Sequence, residues 1–172
     1  RAKQTSMRIR SLRRRRLALA LVGAISMPFA APVLAQDLPS TGTVTSGTAT
    51  IGQTGNDMTI NQSTRGAIID WGSFNISSGY GVTFNQPTDG VTLNRVIGFG
   101  SGPSASSING ALTANGTVFL INTAGITIGG GATITVGGLI ASTINMSNAD
   151  FNAGLASGNY AFSGGSTADV TN

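Results

Sequence analysis

The chain has 172 residues and contains no cysteine, no histidine and no glutamate. Without thiols there is no disulfide framework and no thiolate nucleophile. Without imidazole there is no histidine base, and the usual ligands of zinc and copper sites are gone. The one lysine is Lys3, so a phosphate-cradling Gly-Lys-Ser/Thr loop is excluded from the body of the chain. The formal charge of +4 is misleading, because eight of the ten basic residues lie in the first 16 positions. From residue 36 onward only Arg65 and Arg95 face Asp37, Asp57, Asp70, Asp89, Asp150 and Asp169, which leaves −4 over 137 residues. An acidic surface repels phosphate, and nucleic acid is excluded as a partner.

What is present begins with a leader. Arginines at 8, 10 and 13–16 precede a 15-residue apolar run over 17–31, and Val33 and Ala35 place small side chains at −3 and −1 of a cut after Ala35. This layout predicts a secretory signal peptide over 1–35, with Met7 as the natural start, residues 1–6 upstream of it, and a mature chain over 36–172. A membrane anchor is the competing reading. The run is short for a bilayer crossing of about 20 residues, and Pro28 and Pro32 interrupt its end. A twin-arginine signal fits less well, because Arg13 to Arg16 run straight into the apolar core.

In the mature chain Gly, Thr, Ser and Asn make up about half of the residues, a share that a disordered linker could also have. Short apolar clusters nevertheless recur between Gly and Asn: Ala67-Ile68-Ile69, Val82-Thr83-Phe84, Val96-Ile97, Val118-Phe119-Leu120-Ile121, Ile126-Thr127-Ile128, Ile134-Thr135-Val136 and Leu139-Ile140. These are short strands bounded by turn formers, and no 3.6-residue apolar period runs over three turns. The prediction is an all-β chain. Strand starts at 118, 126, 134 and 139 are too close for a sandwich. Val118-Phe119-Leu120-Ile121-Asn122 also resembles Gly138-Leu139-Ile140-Ala141-Ser142 at a spacing of 20. That spacing predicts a parallel β-helix with coils of about 20 residues. The C-terminus stops in mid-pattern without a polar cap, which points to the N-terminal piece of a longer protein.

Candidate chemistry is sparse. Asp57, Asp70 and Asp89 are spaced so that two could share one face of a solenoid, as in β-helix lyases and hydrolases, but isolated solvated turn residues explain them more simply. Gly129-Gly130-Gly131 and Gly137-Gly138 are followed by Ala132 and Leu139, not by the Asp that a calcium-binding nonapeptide repeat needs. The lone Trp71 reads as a buried plug near a coil end or, less simply, as a surface-binding aromatic.

One series of motifs is specific in its order. It runs Gly66-Ala67-Ile68-Ile69-Asp70-Trp71-Gly72-Ser73-Phe74-Asn75-Ile76, then Val82-Thr83-Phe84-Asn85-Gln86-Pro87, then Leu93-Asn94-Arg95-Val96. It continues through Ile108-Asn109-Gly110-Ala111-Leu112 and Ala114-Asn115-Gly116-Thr117-Val118-Phe119-Leu120-Ile121-Asn122, and closes with Gly125-Ile126 and Leu139-Ile140-Ala141-Ser142-Thr143. Together these resemble the N-terminal secretion domain of two-partner secretion exoproteins of the filamentous-haemagglutinin type, over roughly 44–162. The resemblance implies a right-handed parallel β-helix opened by a cap with extra antiparallel strands. Trp71, Phe74, Asn94, Arg95, Asn115 and Gly116 are its structural markers.

The resemblance also implies a role without catalysis, cofactor or metal. Such a domain is the address read by a dedicated outer-membrane β-barrel transporter through that transporter's periplasmic domains. The exoprotein, usually an adhesin, haemolysin or toxin, passes through the periplasm of a Gram-negative bacterium and folds outside. It is secreted or stays on the surface, with host-cell or surface ligands bound by downstream regions. The family motif Asn-Pro-Asn-Gly-Ile falls on Asn122-Thr123-Ala124-Gly125-Ile126, which keeps Asn122, Gly125 and Ile126 as the candidate transporter-recognition residues. Its physical sense is a tight turn, so a purely structural reading stands beside recognition. A second motif, Asn-Pro-Asn-Leu, is absent. A Cys-free, weakly charged chain that folds coil by coil suits threading, and extended strands suit capture at an open sheet edge. The alternatives are a β-helix polysaccharide lyase or hydrolase using Asp70 or Asp89, and an adhesin domain that itself holds the ligand.

Overall fold

The computed structural model describes residues 38–172, and the expected signal peptide over 1–35 lies outside the described residues. The described chain is a right-handed parallel β-helix of about three turns. Its three sheets share successive coils. One sheet stacks β3 (Asp57–Gln62), β5 (Gly81–Asn85), β8 (Ala111–Ala114) and β11 (Thr133–Thr135) in parallel. The second stacks β4 (Gly66–Trp71), β6 (Val91–Val96), β9 (Thr117–Ile121) and β12 (Gly138–Ser142). The third pairs β7 (Ser106–Ile108) with β10 (Ile126–Ile128), and β10 with β13 (Val170–Thr171). Two antiparallel strands close the N-terminal end: β1 (Thr43–Ser46) on β4 and β2 (Ala49–Thr54) on β3.

The apolar pattern differs between the two larger sheets because their surroundings differ. In the first sheet Met58, Ile60, Val82, Phe84 and Leu112 point into the solenoid, and Thr59, Thr83, Thr113 and Thr135 alternate with the inward positions on the outer face. Period-two alternation is the signature of a sheet with one solvated face. The second sheet is covered on both faces. Ile69, Trp71, Val96, Val118 and Leu120 join the interior, while Ile68, Leu93, Phe119 and Ile121 form a separate cluster outside with Met146 and Phe151. Four consecutive apolar residues over 118–121 are therefore all buried.

Two sequence expectations are corrected. The strands of the second sheet begin at 66, 91, 117 and 138, so its coils run to 25, 26 and 21 residues rather than about 20. The register pairs Val118 with Leu139, not with Gly138. A one-residue slip would exchange the inner and outer faces of β12, and this burial pattern forbids it. The described all-β scaffold carries one helix, α1 (Asn148–Ser157), which has no apolar stripe. Its ends are nonetheless marked. Ser147 Oγ accepts from the Asp150 amide at 3.1 Å and donates to Asp150 Oδ2 at 2.6 Å. Gly158, at φ 80°, closes the last turn by donating to the Gly154 carbonyl at 2.8 Å.

Candidate functional site

The turn over 122–126 joins the second sheet to the third. The Gly125 amide donates to the Asn122 carbonyl at 3.0 Å, closing a four-residue turn, and Gly125 takes φ 113°, which favours glycine. Asn122 is fully buried, and its side chain is used up inside the fold. Nδ2 donates to the Ser104 carbonyl at 2.8 Å and to Ser106 Oγ at 2.9 Å, while Oδ1 accepts from the Ala124 amide at 3.0 Å. Ile126 points into the core, at 1 % exposure. Of the five residues only Thr123 is exposed, and its carbonyl accepts from Ser166 Oγ at 2.9 Å. In the folded domain Asn122, Gly125 and Ile126 build the turn and present no side chain outward.

Trp71 is fully buried on the first coil, with Phe74 edge-on at 5.5 Å between ring centroids. Its indole N–H donates to Asn94 Oδ1 at 3.0 Å, and Asn94 Nδ2 donates to the Phe119 carbonyl at 3.1 Å. One buried amide thus ties three successive coils. Asn115 acts at a corner of the solenoid. It accepts from the Gln86 amide at 2.7 Å and donates to the Gln86 carbonyl at 2.6 Å, as a paired strand would. Gln86 Oε1 accepts from the Gly116 amide at 3.0 Å, and Gln86 Nε2 reaches Thr92 Oγ1 at 2.9 Å. Thr92 in turn donates to Gln62. Sequence reasoning missed Gln62, Gln86 and Thr92 as members of this column. The signal was an apolar residue followed by Asn at Ile60-Asn61, Phe84-Asn85 and Ala114-Asn115, one per coil.

The carboxylates do not converge. Asp70 forms a two-pronged ion pair with Arg95, Oδ1 to Nε at 2.8 Å and Oδ2 to Nη2 at 3.1 Å, and both side chains are mostly buried. Asp57 opens β3 in another sheet, and Asp89 sits in the turn between β5 and β6 at φ 56°. Among the described residues no three acidic side chains gather as metal ligands. An open groove of about 640 Å³ runs along the N-terminal end between Leu38, Ile51, Met58, Trp71 and Tyr80, and neither a carboxylate nor a basic residue lines it. Among the described residues the carboxylates stand apart, and the buried polar groups form coil-to-coil hydrogen bonds.

The series of markers therefore describes one continuous scaffold. A family model described as the TPS secretion domain matches residues 35–166. The chain belongs to the TPS secretion domain family. Among solved structures, this TPS domain is similar to the HMW1 secretion domain from Haemophilus influenzae, at 35% identity and a TM-score of 0.64, over 77% of this chain and 34% of that one. It is also 46% identical over 110 residues to a heme/hemopexin-binding protein of Haemophilus influenzae strain Rd, and 47% identical over 109 residues to a second protein of that name and species. These matches cover 63% and 62% of this chain but only 12% and 11% of the relatives, so the TPS domain spans about a tenth of their length. The family is a secretion domain of exported proteins, and its role here is that of a secretion domain.

Proposed function

We propose that this TPS domain is a non-catalytic export address. In this reading a cognate outer-membrane β-barrel transporter reads it through periplasmic domains, and it then seeds β-helix folding outside the cell. The observation that supports this best is the family match along nearly the whole described solenoid, joined to a scaffold in which buried Asn94 and Asn122 are used within the fold. Residues 122–126 would be read in the extended chain, because the folded turn hides Asn122 and Ile126. The mature body begins at 36 behind a cleaved leader over 1–35, and the product is secreted or displayed on the surface of a Gram-negative cell. Two relatives are named for binding heme or hemopexin. The matched segment spans only about a tenth of those relatives, so we place any such activity outside residues 38–172.

The test is secretion of the full chain with and without the cognate barrel. Appearance in the medium only with the barrel is the expected result. Equal secretion without it overturns the reading.

A further inference from the structure

The outer face of the second sheet is an apolar column built from successive coils. Ile68, Leu93, Phe119 and Ile140 stand in register on β4, β6, β9 and β12. Residues 146–162 cover it. Met146 and Phe151 are buried there, and Phe119 meets the rings of Phe151, Tyr160 and Phe162 at 6.3, 4.7 and 6.4 Å between centroids. Leu155 lies over Gly66, where any side chain would run into it. Both arginines of the body hold this segment by its backbone. Arg95, fixed by Asp70, donates from Nη1 to the Met146 carbonyl at 3.1 Å. Arg65 donates from Nη1 to the Leu155 carbonyl at 2.8 Å. α1 has no basic residue in its own last turn, so a cation from the first coil serves the negative end of its dipole.

We infer that residues 146–162 are a strap that closes last, over an outer face that the coils have already assembled, and that opens separately from them. A ten-residue helix with two buried positions does not hold its shape alone. Its docking surface exists only once β4, β6 and β9 lie side by side, because each strand supplies one side chain of the column. The contacts of the strap span 51 residues from Arg95 and 90 from Arg65, whereas neighbouring strands of the sheet are 21 to 26 residues apart. Closing the longer loops costs more chain entropy unless the coils have shortened them first. The inference concerns the folding of this chain on its own, so it and the transporter reading fail separately.

The experiment is stopped-flow folding of the full chain, followed through Trp71, the single tryptophan, which faces the interior. Leu155→Ala and Phe151→Leu perturb the strap, and Leu120→Ala, inside the coil, is the comparison. The strap variants should unfold at least tenfold faster and refold within twofold of the parent, while Leu120→Ala slows refolding. Strap variants that refold tenfold slower, with unfolding unchanged, overturn the inference. Hydrogen exchange on the parent chain gives a second reading that needs no variant. Amides of 150–157 should exchange at least tenfold faster than those of β9, and equal rates overturn the inference.

Discussion

The Asn122 side chain reaches across to the Ser104 carbonyl at 2.8 Å, fastening the turn over 122–126 to the connection that precedes β7. A short polar side chain here extends the contact between two passes of the chain beyond the ladder that starts at Ser106 and Ile126.

Asn122→Ala removes that bond together with those to Ser106 and the Ala124 amide. With each bond worth about 1 kcal/mol net, the loss should reach about 2 kcal/mol or more. Urea unfolding followed by Trp71 fluorescence measures it. Thr123 occupies the second position of the turn, where proline is pre-shaped, so Thr123→Pro should raise stability by about 0.5–1 kcal/mol. A destabilising Thr123→Pro would show that the turn needs a φ that proline cannot take.

Glycines 116 and 130 make a matched pair. A Cβ on Gly116 would strike the Gly90 carbonyl, a backbone atom that cannot swing away, whereas one on Gly130 would meet nothing within 4 Å. Gly116→Ala should therefore cost about 1–3 kcal/mol through overpacking, with Gly130→Ala close to neutral. Thermal midpoints of the two variants side by side decide it. Equal midpoints would mean that the corner yields more readily than a close-packed corner should.

Alkaline pH tests the strap. Burial against the aromatic cluster raises the Tyr160 phenol above its ordinary value, and the Arg65 guanidinium opposes this by lowering it. The neutral form is the one the fold favours, so its stability is complete below the unfolded value of about 10 and is lost as pH climbs through the raised folded value. Residues 38–172 hold no lysine to add its own titration in this range. Urea midpoints between pH 8 and 11.5 should fall for the parent and fall less for Tyr160→Phe. An identical decline in both would assign the loss to other groups.

Much of the solenoid was legible because burial writes itself into period and run. Thr between two apolar residues at 59, 83, 113 and 135 marks a half-solvated sheet, and the unbroken run over 118–121 marks one covered on both sides. The run thus foretold a cover whose identity the sequence hid. α1 escaped because it buries only Phe151 and Gly154, too few positions to leave a stripe, although Ser147, Asp150 and Gly158 spelled its ends. The role of the two arginines was illegible for a different reason. They bind the carbonyls of Met146 and Leu155, and a carbonyl is the same in every residue. The register slip at Val118 came from matching Gly138 by its apolar neighbours, when only the inward or outward sense of each side chain decides the partner.

The buried column of Gln62, Thr92 and Gln86 carries a consequence for the order of the stack. Apolar side chains of similar size pack tolerably in several alignments, and a chain this rich in Ile, Val and Thr offers many near-equivalent ones. A buried amide has no such tolerance, because a neighbour displaced by one residue leaves it without a partner in a medium that supplies no water. Each polar rung therefore penalises every wrong alignment while adding little to the right one. It acts as a proofreading device written into a fold whose greasy contacts alone would accept mistakes.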